Sequence, residues 1–155
     1  MPTTLKDEIK QTKPFARPAD EAILSILRTA ALLEHAENEA LKSHGLTHTQ
    51  YNVLRILRGA GKRGLCGMEI GERMVSHVPD VSRLLDRMED AGVVVRTRDP
   101  DDRRHVTARI TPAGRKVLDE ATPELEQTGR AWTARLSAAD IASVIRVLAA
   151  IREQL

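Results

Sequence analysis

The segment 46–111 limits the possible folds more than any other part of this 155-residue sequence, because its hydrophobic periodicity changes from helical to strand-like at Gly92. Before that glycine, apolar residues recur at helical spacing in three short stretches. After it, two β-branched stretches, 93–95 and 106–110, flank the turn-forming cluster Asp99–Asp102. The pattern predicts three short helices followed by a β-hairpin with a charged tip.

Capping and terminating residues predict where these helices begin and end. Thr47, with a glutamine three residues later, forms a capping box. The helix it opens ends in the glycine-rich basic loop 59–64, and a short second helix fits residues 68–74. The third begins near Pro79 and ends at Gly92. Two short helices joined by a tight turn and followed at once by a β-hairpin are typical of a winged helix-turn-helix.

Longer helical patterns flank this segment on both sides. Pro18 opens the first, which carries a broad apolar stripe and ends at Gly45. Residues 1–17 lack periodicity and predict a loose arm. After the hairpin, Thr111-Pro112 provides an N-cap and a first-turn proline. The helix that follows is expected to bend or break at Pro123.

The last helix is predicted to begin after Ser137, with apolar residues at the heptad spacing of helices that pack on a partner helix. These residues are Ile141, Val144, Leu148, Ile151 and Leu155. The sequence therefore predicts one domain over 1–155, mainly α with a small β-hairpin wing, in the order α-α-α-α-β-β-α-α. Within it, 46–111 is the winged helix-turn-helix lobe, and 18–44 and 112–155 are dimerisation helices.

Composition excludes several classes of protein. Apolar residues make up 41% and charged residues 30% of the chain, as in ordinary globular proteins. The sequence shows neither a long apolar run nor a signal peptide, and the single cysteine cannot form an internal disulfide, so a cytoplasmic location is expected. Three aromatic residues are too few for the base-stacking platforms of RNA and single-strand binders. A net charge of +2 means that DNA binding would need a local cluster of basic residues.

The central segment resembles the MarR family (multiple antibiotic resistance regulators). The matching motifs are Leu46-Thr47, Tyr51–Leu54, Ile70–Met74, Val81–Gly92, Arg96, Asp99–Arg104 and Ile110–Arg115. The resemblance implies a homodimeric transcriptional regulator that binds double-stranded DNA. It further implies a repressor that binds a palindromic operator and is released by a small aromatic or phenolic effector, held between the dimer helices and the DNA-binding lobe.

Five residues near the start of the third short helix are predicted to meet the major groove. A groove about 12 Å wide admits one helix, and residues near its N-terminus reach the base edges. Pro79, Asp80, Ser82 and Arg83 occupy that position, and Arg87 lies one turn further on. Arg83 is suited to a bidentate contact with guanine, and Arg87 to a phosphate.

The alternative is that these two arginines lie on a solvated face. They would then pair with nearby acids, namely Asp80, Asp86 or Glu89.

The wing carries the second set of predicted DNA contacts. By the resemblance, Arg103 and Arg104 lie at the family's wing signature, Arg104 enters the minor groove, and Asp102 holds its guanidinium. Arg96 and Arg98 on the first strand are weaker predictions for phosphate contacts. The alternative is a surface turn in which the aspartates of the tip neutralise these arginines.

Other functions find less support in the residues. The five histidines form no recognised metal-binding set, so neither a metal nor another cofactor is predicted. A redox- or metal-responsive regulator of the same fold remains an alternative, with Cys66 as the only thiol. No nucleophile elbow or phosphate loop occurs, so the chain is not predicted to be an enzyme. A winged helix that binds protein instead of DNA is the third class, and a salt series on duplex DNA distinguishes it.

Overall fold

A computed structural model describes residues 3–155 of the chain. The helices are α1 (Leu5–Glu8), α2 (Pro18–Leu41), α3 (His48–Ala60), α4 (Gly67–Arg73), α5 (Val81–Asp90), α6 (Pro112–Thr133) and α7 (Ala138–Arg152). Short 3-10 turns follow α2 and α3, at Lys42–His44 and Gly61–Arg63. The strands are β1 (Leu65–Cys66), β2 (Val94–Arg98) and β3 (Val106–Ile110). The predicted fold class, mainly helical with a hairpin wing, is confirmed.

The sheet has one strand more than the sequence predicts. Strands β2 and β3 form the expected antiparallel hairpin, with Val94 opposite Ile110 and Arg98 opposite Val106. The two-residue strand β1 pairs with the other edge of β3, which gives the order β1-β3-β2. Two residues are too short to show any periodicity, so only the pairing with β3 identifies β1 as a strand.

Two details of the helices differ from the prediction. The predicted loose arm contains α1, a single helical turn. The Thr4 hydroxyl caps this turn by accepting the Asp7 N–H. Residues 1–2 of the arm lie outside the described part of the chain. Helix α6 continues through Pro123 without interruption. A proline removes only one intrahelical hydrogen bond, and this one lies on an exposed part of a long helix.

The hydrophobic core lies inside the winged lobe and extends to the ends of the flanking helices. Its largest fully buried side chains are Leu41, Val53, Leu54, Leu57, Leu65, Ile70, Met88, Val94 and Leu118. Helices α3, α4 and α5 and the sheet contribute most of them, while α2 contributes only Leu41 and α7 contributes none. The lobe therefore has a core of its own, and the two outer helices lie largely outside it.

Helix α6 and the base of the wing approach each other closely at Gly114. The Thr111 hydroxyl accepts the Gly114 N–H at 3.0 Å and donates to the Gly92 carbonyl at 2.7 Å. A Cβ atom at Gly114 would lie 2.1 Å from the carbonyl oxygen of Val93. Only glycine fits between the helix and the hairpin at this position.

We expect Gly114→Ala to lower the free energy of unfolding by about 1–3 kcal/mol, because the added methyl group must push the hairpin base away from α6. Gly59→Ala is the matched control. Gly59 is an exposed glycine in α3, and a Cβ atom there would have open space around it, so alanine is expected to stabilise by about 0.4–1 kcal/mol. Chemical denaturation measures both, and equal effects would contradict the close approach.

Candidate DNA interface

Helix α5 presents one apolar face to the core and one polar face to solvent. Leu84, Leu85 and Met88 are buried beneath it. Residues three and four apart lie on the same side of a helix. Burial of these three side chains therefore directs the remaining positions of α5 towards solvent. The exposed polar residues are Ser82, Arg83, Asp86, Arg87 and Asp90. The predicted major-groove residues of this helix thus share its exposed face.

The start of α5 differs from the prediction by two residues. The helix begins at Val81, so Pro79 and Asp80 precede it. Asp80 is the N-cap, and its Oδ1 accepts the N–H of Arg83 at 2.9 Å. A carboxylate in this position satisfies an otherwise unpaired helical N–H and interacts favourably with the helix dipole. Asp80 therefore fixes the backbone at Arg83 and is not paired with that arginine's guanidinium.

The aspartates of the wing tip are bound to the backbone of their own turn. Asp99 Oδ1 accepts the N–H of Asp101 at 2.8 Å and that of Asp102 at 3.3 Å. Asp102 Oδ1 accepts the N–H of Arg104 at 3.0 Å. The expectation that Asp102 holds the Arg104 guanidinium is therefore wrong in this structure. An aspartate readily bonds the N–H two residues ahead, and that local bond determines where its carboxylate points.

The arginines of the helix face and the wing tip are exposed and form no ion pairs within the described residues. Within residues 3–155, no ion pair involves Arg83, Arg87, Arg103 or Arg104. All four are exposed. The alternative in which nearby aspartates neutralise them is not what the structure shows. Arg98 is exposed as well, with a single long contact of 3.5 Å from Nη1 to the carbonyl of Arg103.

Arg96 differs from the other wing arginines. Its Nε and Nη2 donate to Glu89 Oε2 at 2.9 and 2.8 Å, and Nη2 also donates to Asp86 Oδ1. Its backbone N–H donates to Glu89 Oε1 at 2.9 Å. The side chain is only 20% exposed. The prediction that Arg96 contacts phosphate is therefore not supported, because two carboxylates on α5 already occupy its guanidinium.

This contact also changes the protonation of Glu89. The pKa of the Glu89 carboxyl lies below its usual value, first because the Arg96 side chain donates to it and then because the Arg96 N–H does. Both bonds favour the charged carboxylate. The pair consequently persists to more acidic pH than an isolated glutamate would allow, and it weakens only as pH falls through the lowered pKa.

A groove beside the start of α5 contains polar residues that the sequence did not place there. It is lined by Thr47, Thr49 and Gln50 from the start of α3 and by His77 and Arg83. The capping box of α3 was recognisable, with Gln50 Oε1 accepting the Thr47 N–H. Its position beside α5 depends on how the two helices pack, which no local pattern contains.

A cavity of about 400 Å³ lies where α2, α3 and α6 meet. Its lining includes Glu37, His48, Tyr51, Arg55 and Thr122. The His48 ring contacts the Glu37 carboxylate, and the Tyr51 hydroxyl lies 3.0 Å from the Thr122 hydroxyl. The cavity therefore borders both the lobe and the two long outer helices.

The other residues considered for metal or redox chemistry do not form a metal site in the described part of the chain. Buried His44 Nε2 lies 3.2 Å from Glu124 of α6, without hydrogen-bond geometry. Among residues 3–155, no three metal-ligating side chains come together. Cys66 is half-buried at the N-cap of α4, and its N–H donates to Glu69 Oε2 at 3.0 Å. Across the described part of the chain, none of the helices has both the length and the apolar character needed to cross a membrane.

This geometry defines a winged helix-turn-helix protein, and comparison with known proteins agrees. A family model described as the MarR family matches residues 46–106. The transcriptional regulator HosA of Escherichia coli is 36% identical over 93 residues, which cover 60% of this chain and 67% of HosA. The chain belongs to the MarR family, and the relatives named here are transcriptional regulators, not enzymes.

Two solved structures resemble the whole fold. A MarR transcription factor from Planctomyces limnophilus is 33% identical with a TM-score of 0.68, covering 87% of this chain and 98% of that one. Sco3205 of Streptomyces coelicolor, a MarR family regulator solved in complex with DNA, is 26% identical with a TM-score of 0.77, covering 94% and 93%. Two other relatives are matched over a smaller share of their own length, 56% for one and 59% for the other.

Proposed function

We propose that this protein is a cytoplasmic repressor that binds a palindromic DNA operator as a homodimer and is released by a small-molecule ligand. The observation that carries the proposal is the set of four exposed arginines on α5 and the wing tip, which have no acidic partner within residues 3–155. Helix α5 and the hairpin border one cleft, with Ser82 and Asp86 on one side and Arg98 and Val106 on the other. Arg83 and Arg87 line a second groove, on the α3 side of α5. Exposed arginines on a helix and on the adjacent wing are suited to the phosphates and base edges of a duplex.

In this proposal, α5 enters the major groove. Ser82 and Arg83 lie in its first turn, where base edges are within reach, and Arg87 lies one turn later beside the backbone phosphates. Asp80 and Pro79 set the start of α5 and contribute to DNA binding only indirectly, by positioning that helix. Sco3205, a MarR family regulator of similar fold, has been solved in complex with DNA, which supports DNA binding by this chain.

The wing tip is proposed to lie over the minor groove. Arg104 is the residue placed in the groove, since narrow A·T-rich grooves attract arginine, and Arg103 and Arg98 contact the flanking phosphates. Asp99 and Asp102 each direct a carboxylate oxygen at backbone N–H groups of the turn, so the local fold of the tip determines where these two carboxylates point.

The homodimer is proposed to form through the outer helices, 18–44 and 112–155, and the lobe 46–111 to bind DNA. Helix α7 has no buried residue in the single chain. Large apolar side chains remain exposed on both outer elements: Ile23, Leu24, Leu27 and Leu32 on α2, Trp132 on α6, and Ile141, Val144, Ile145, Val147 and Ile151 on α7. An apolar area of this extent is typical of a protein interface, and a two-fold axis would present two α5 helices to successive turns of a palindrome.

The effector is proposed to occupy the cavity between α2, α3 and α6. A small aromatic or phenolic compound could pack against the ring of Tyr51, with Arg55 and His48 available for its polar groups. A ligand that binds here touches both the lobe and the outer helices. It would change DNA affinity if it bound more tightly to an arrangement of the two lobes that does not fit the operator.

The test requires the operator sequence, which selection of bound duplexes from a random pool would identify. With that duplex, Arg83→Ala is expected to reduce discrimination against scrambled DNA by about 1–3 kcal/mol. Arg87→Ala, the matched control, should weaken binding to both duplexes alike, because phosphate contacts position but do not specify. Titrations at fixed salt measure the four affinities. An equal loss on both duplexes for Arg83→Ala would identify it as a phosphate contact.

The wing gives a second test. Arg104→Ala should weaken operator binding by about 1–3 kcal/mol while the melting temperature stays near that of the wild type, since the exposed side chain forms no ion pair within residues 3–155. Binding isotherms and a thermal melt measure the two quantities. An unchanged affinity would remove Arg104 from the interface.

The dimer is tested by solution scattering. At micromolar concentration, we expect a mass near twice 17.2 kDa. Ile145→Asp, at a side chain on α7 that is 62% exposed, should shift the mass towards the monomer, because burying an unpaired carboxylate in an apolar interface is costly. Val75→Asp is the control, at a residue 78% exposed but outside the outer helices. A monomeric wild type would overturn the dimer.

A further inference from the structure

The helix proposed to enter the major groove carries acidic residues as well as arginines. Asp86, with a side chain 57% exposed, lies on the same face as Ser82 and Arg83, and Glu89 lies one turn further along. Carboxylates in this position would repel the phosphates of a duplex, since like charges at a few ångströms oppose each other even in water. A DNA-binding helix of this composition needs a cation that neutralises them.

Arg96 is that cation, and it comes from the wing. Its guanidinium donates to both Asp86 and Glu89, while its backbone N–H donates to the second oxygen of Glu89. The side chain is 20% exposed, and its guanidinium donors are directed at the carboxylates of α5. The low pKa of the Glu89 carboxyl agrees with a persistent charged pair.

The same contacts join the wing strand β2 to helix α5, and the proposed DNA binding uses the wing and this helix together. Arg96 lies in β2 opposite Ala108 of β3, and β2 leads directly to the tip that carries Arg103 and Arg104. Glu89 therefore holds the wing strand against α5 through both backbone and side chain. The distance between the arginines of the helix and those of the tip depends on this junction.

We propose that Arg96 is a positioning residue for DNA binding: it neutralises Asp86 and Glu89 on the recognition helix and holds the wing against that helix, without contacting DNA. This inference rests on the proposed function. It replaces the phosphate contact that the sequence alone predicts for Arg96.

A positioning role and a phosphate contact for Arg96 predict different results when further substitutions are added to an Arg96 variant. Arg96→Gln leaves two carboxylates uncompensated beside the duplex, and we expect operator affinity at low salt to fall about tenfold or more. The triple variant Asp86→Asn, Glu89→Gln, Arg96→Gln removes those carboxylates, while the amide oxygen at position 89 can still accept the backbone N–H of position 96 and hold the wing strand. It should regain affinity to within about threefold of wild type. The slope of log affinity against log salt should be the same in the triple variant and the wild type, because no phosphate contact is lost.

The control is Arg96→Gln combined with Asp90→Asn. Asp90 is an exposed acid at the end of α5 that does not bind Arg96, so its removal should restore little. A thermal melt accompanies every titration. If Arg96→Gln alone does not fold, the triple variant, which has no unpaired charge at the junction, still gives the decisive affinity and slope.

The outcomes separate this inference from the proposed function. Recovery in the triple variant, absent from the Asp90 control, supports positioning. A triple variant that stays weak, with a salt slope smaller than wild type by about one, identifies a phosphate contact and overturns the inference alone. A wild type that does not bind duplex DNA in a salt-dependent way overturns the proposed function, and the inference with it.

Discussion

The packing of α5 on the core of the lobe determines where its polar residues lie. Burial of Leu84, Leu85 and Met88 leaves a single rotation of the helix, and that rotation turns Ser82, Arg83 and Arg87 to solvent. The burial of three large side chains outweighs any single surface contact, since each contributes about 1.5–3 kcal/mol. The Asp80 cap and the Arg96 junction then refine a position that the core has already set.

The two regions of the chain meet the requirement for apolar burial in different ways. The lobe buries its own core, with side chains from three short helices and the sheet. The outer helices instead leave apolar residues exposed along α2 and α7. The exposed apolar residues of the outer helices are the observation behind the proposed dimer. The junction cavity and the contacts of His44 and His48 with glutamates lie between the lobe and these helices.

Much of the fold could be predicted because its signals are local. The capping box at Thr47, the Thr111-Pro112 helix start and the turn-forming aspartates each act within a few residues, and the structure places a helix or a turn at all three. Two of the differences from the prediction have a non-local or competitive cause. Strand β1 exists only through its pairing with β3, and Asp102 bonds the backbone of Arg104 in preference to its side chain.

The sequence by itself determined the order of the longer helices and the hairpin strands, the exposed face of α5 and the family, because these follow from periodicity, capping and motifs that short segments carry. Only the tertiary structure decided which charges are free. The sequence predicts DNA contacts for both Arg83 and Arg96, with Arg96 the weaker of the two. Within residues 3–155, however, Arg83 forms no ion pair, whereas Arg96 is held by Asp86 and Glu89. The reason is physical: a charge is neutralised by whichever opposite charge lies within a few ångströms, and that neighbour is chosen by packing across the chain.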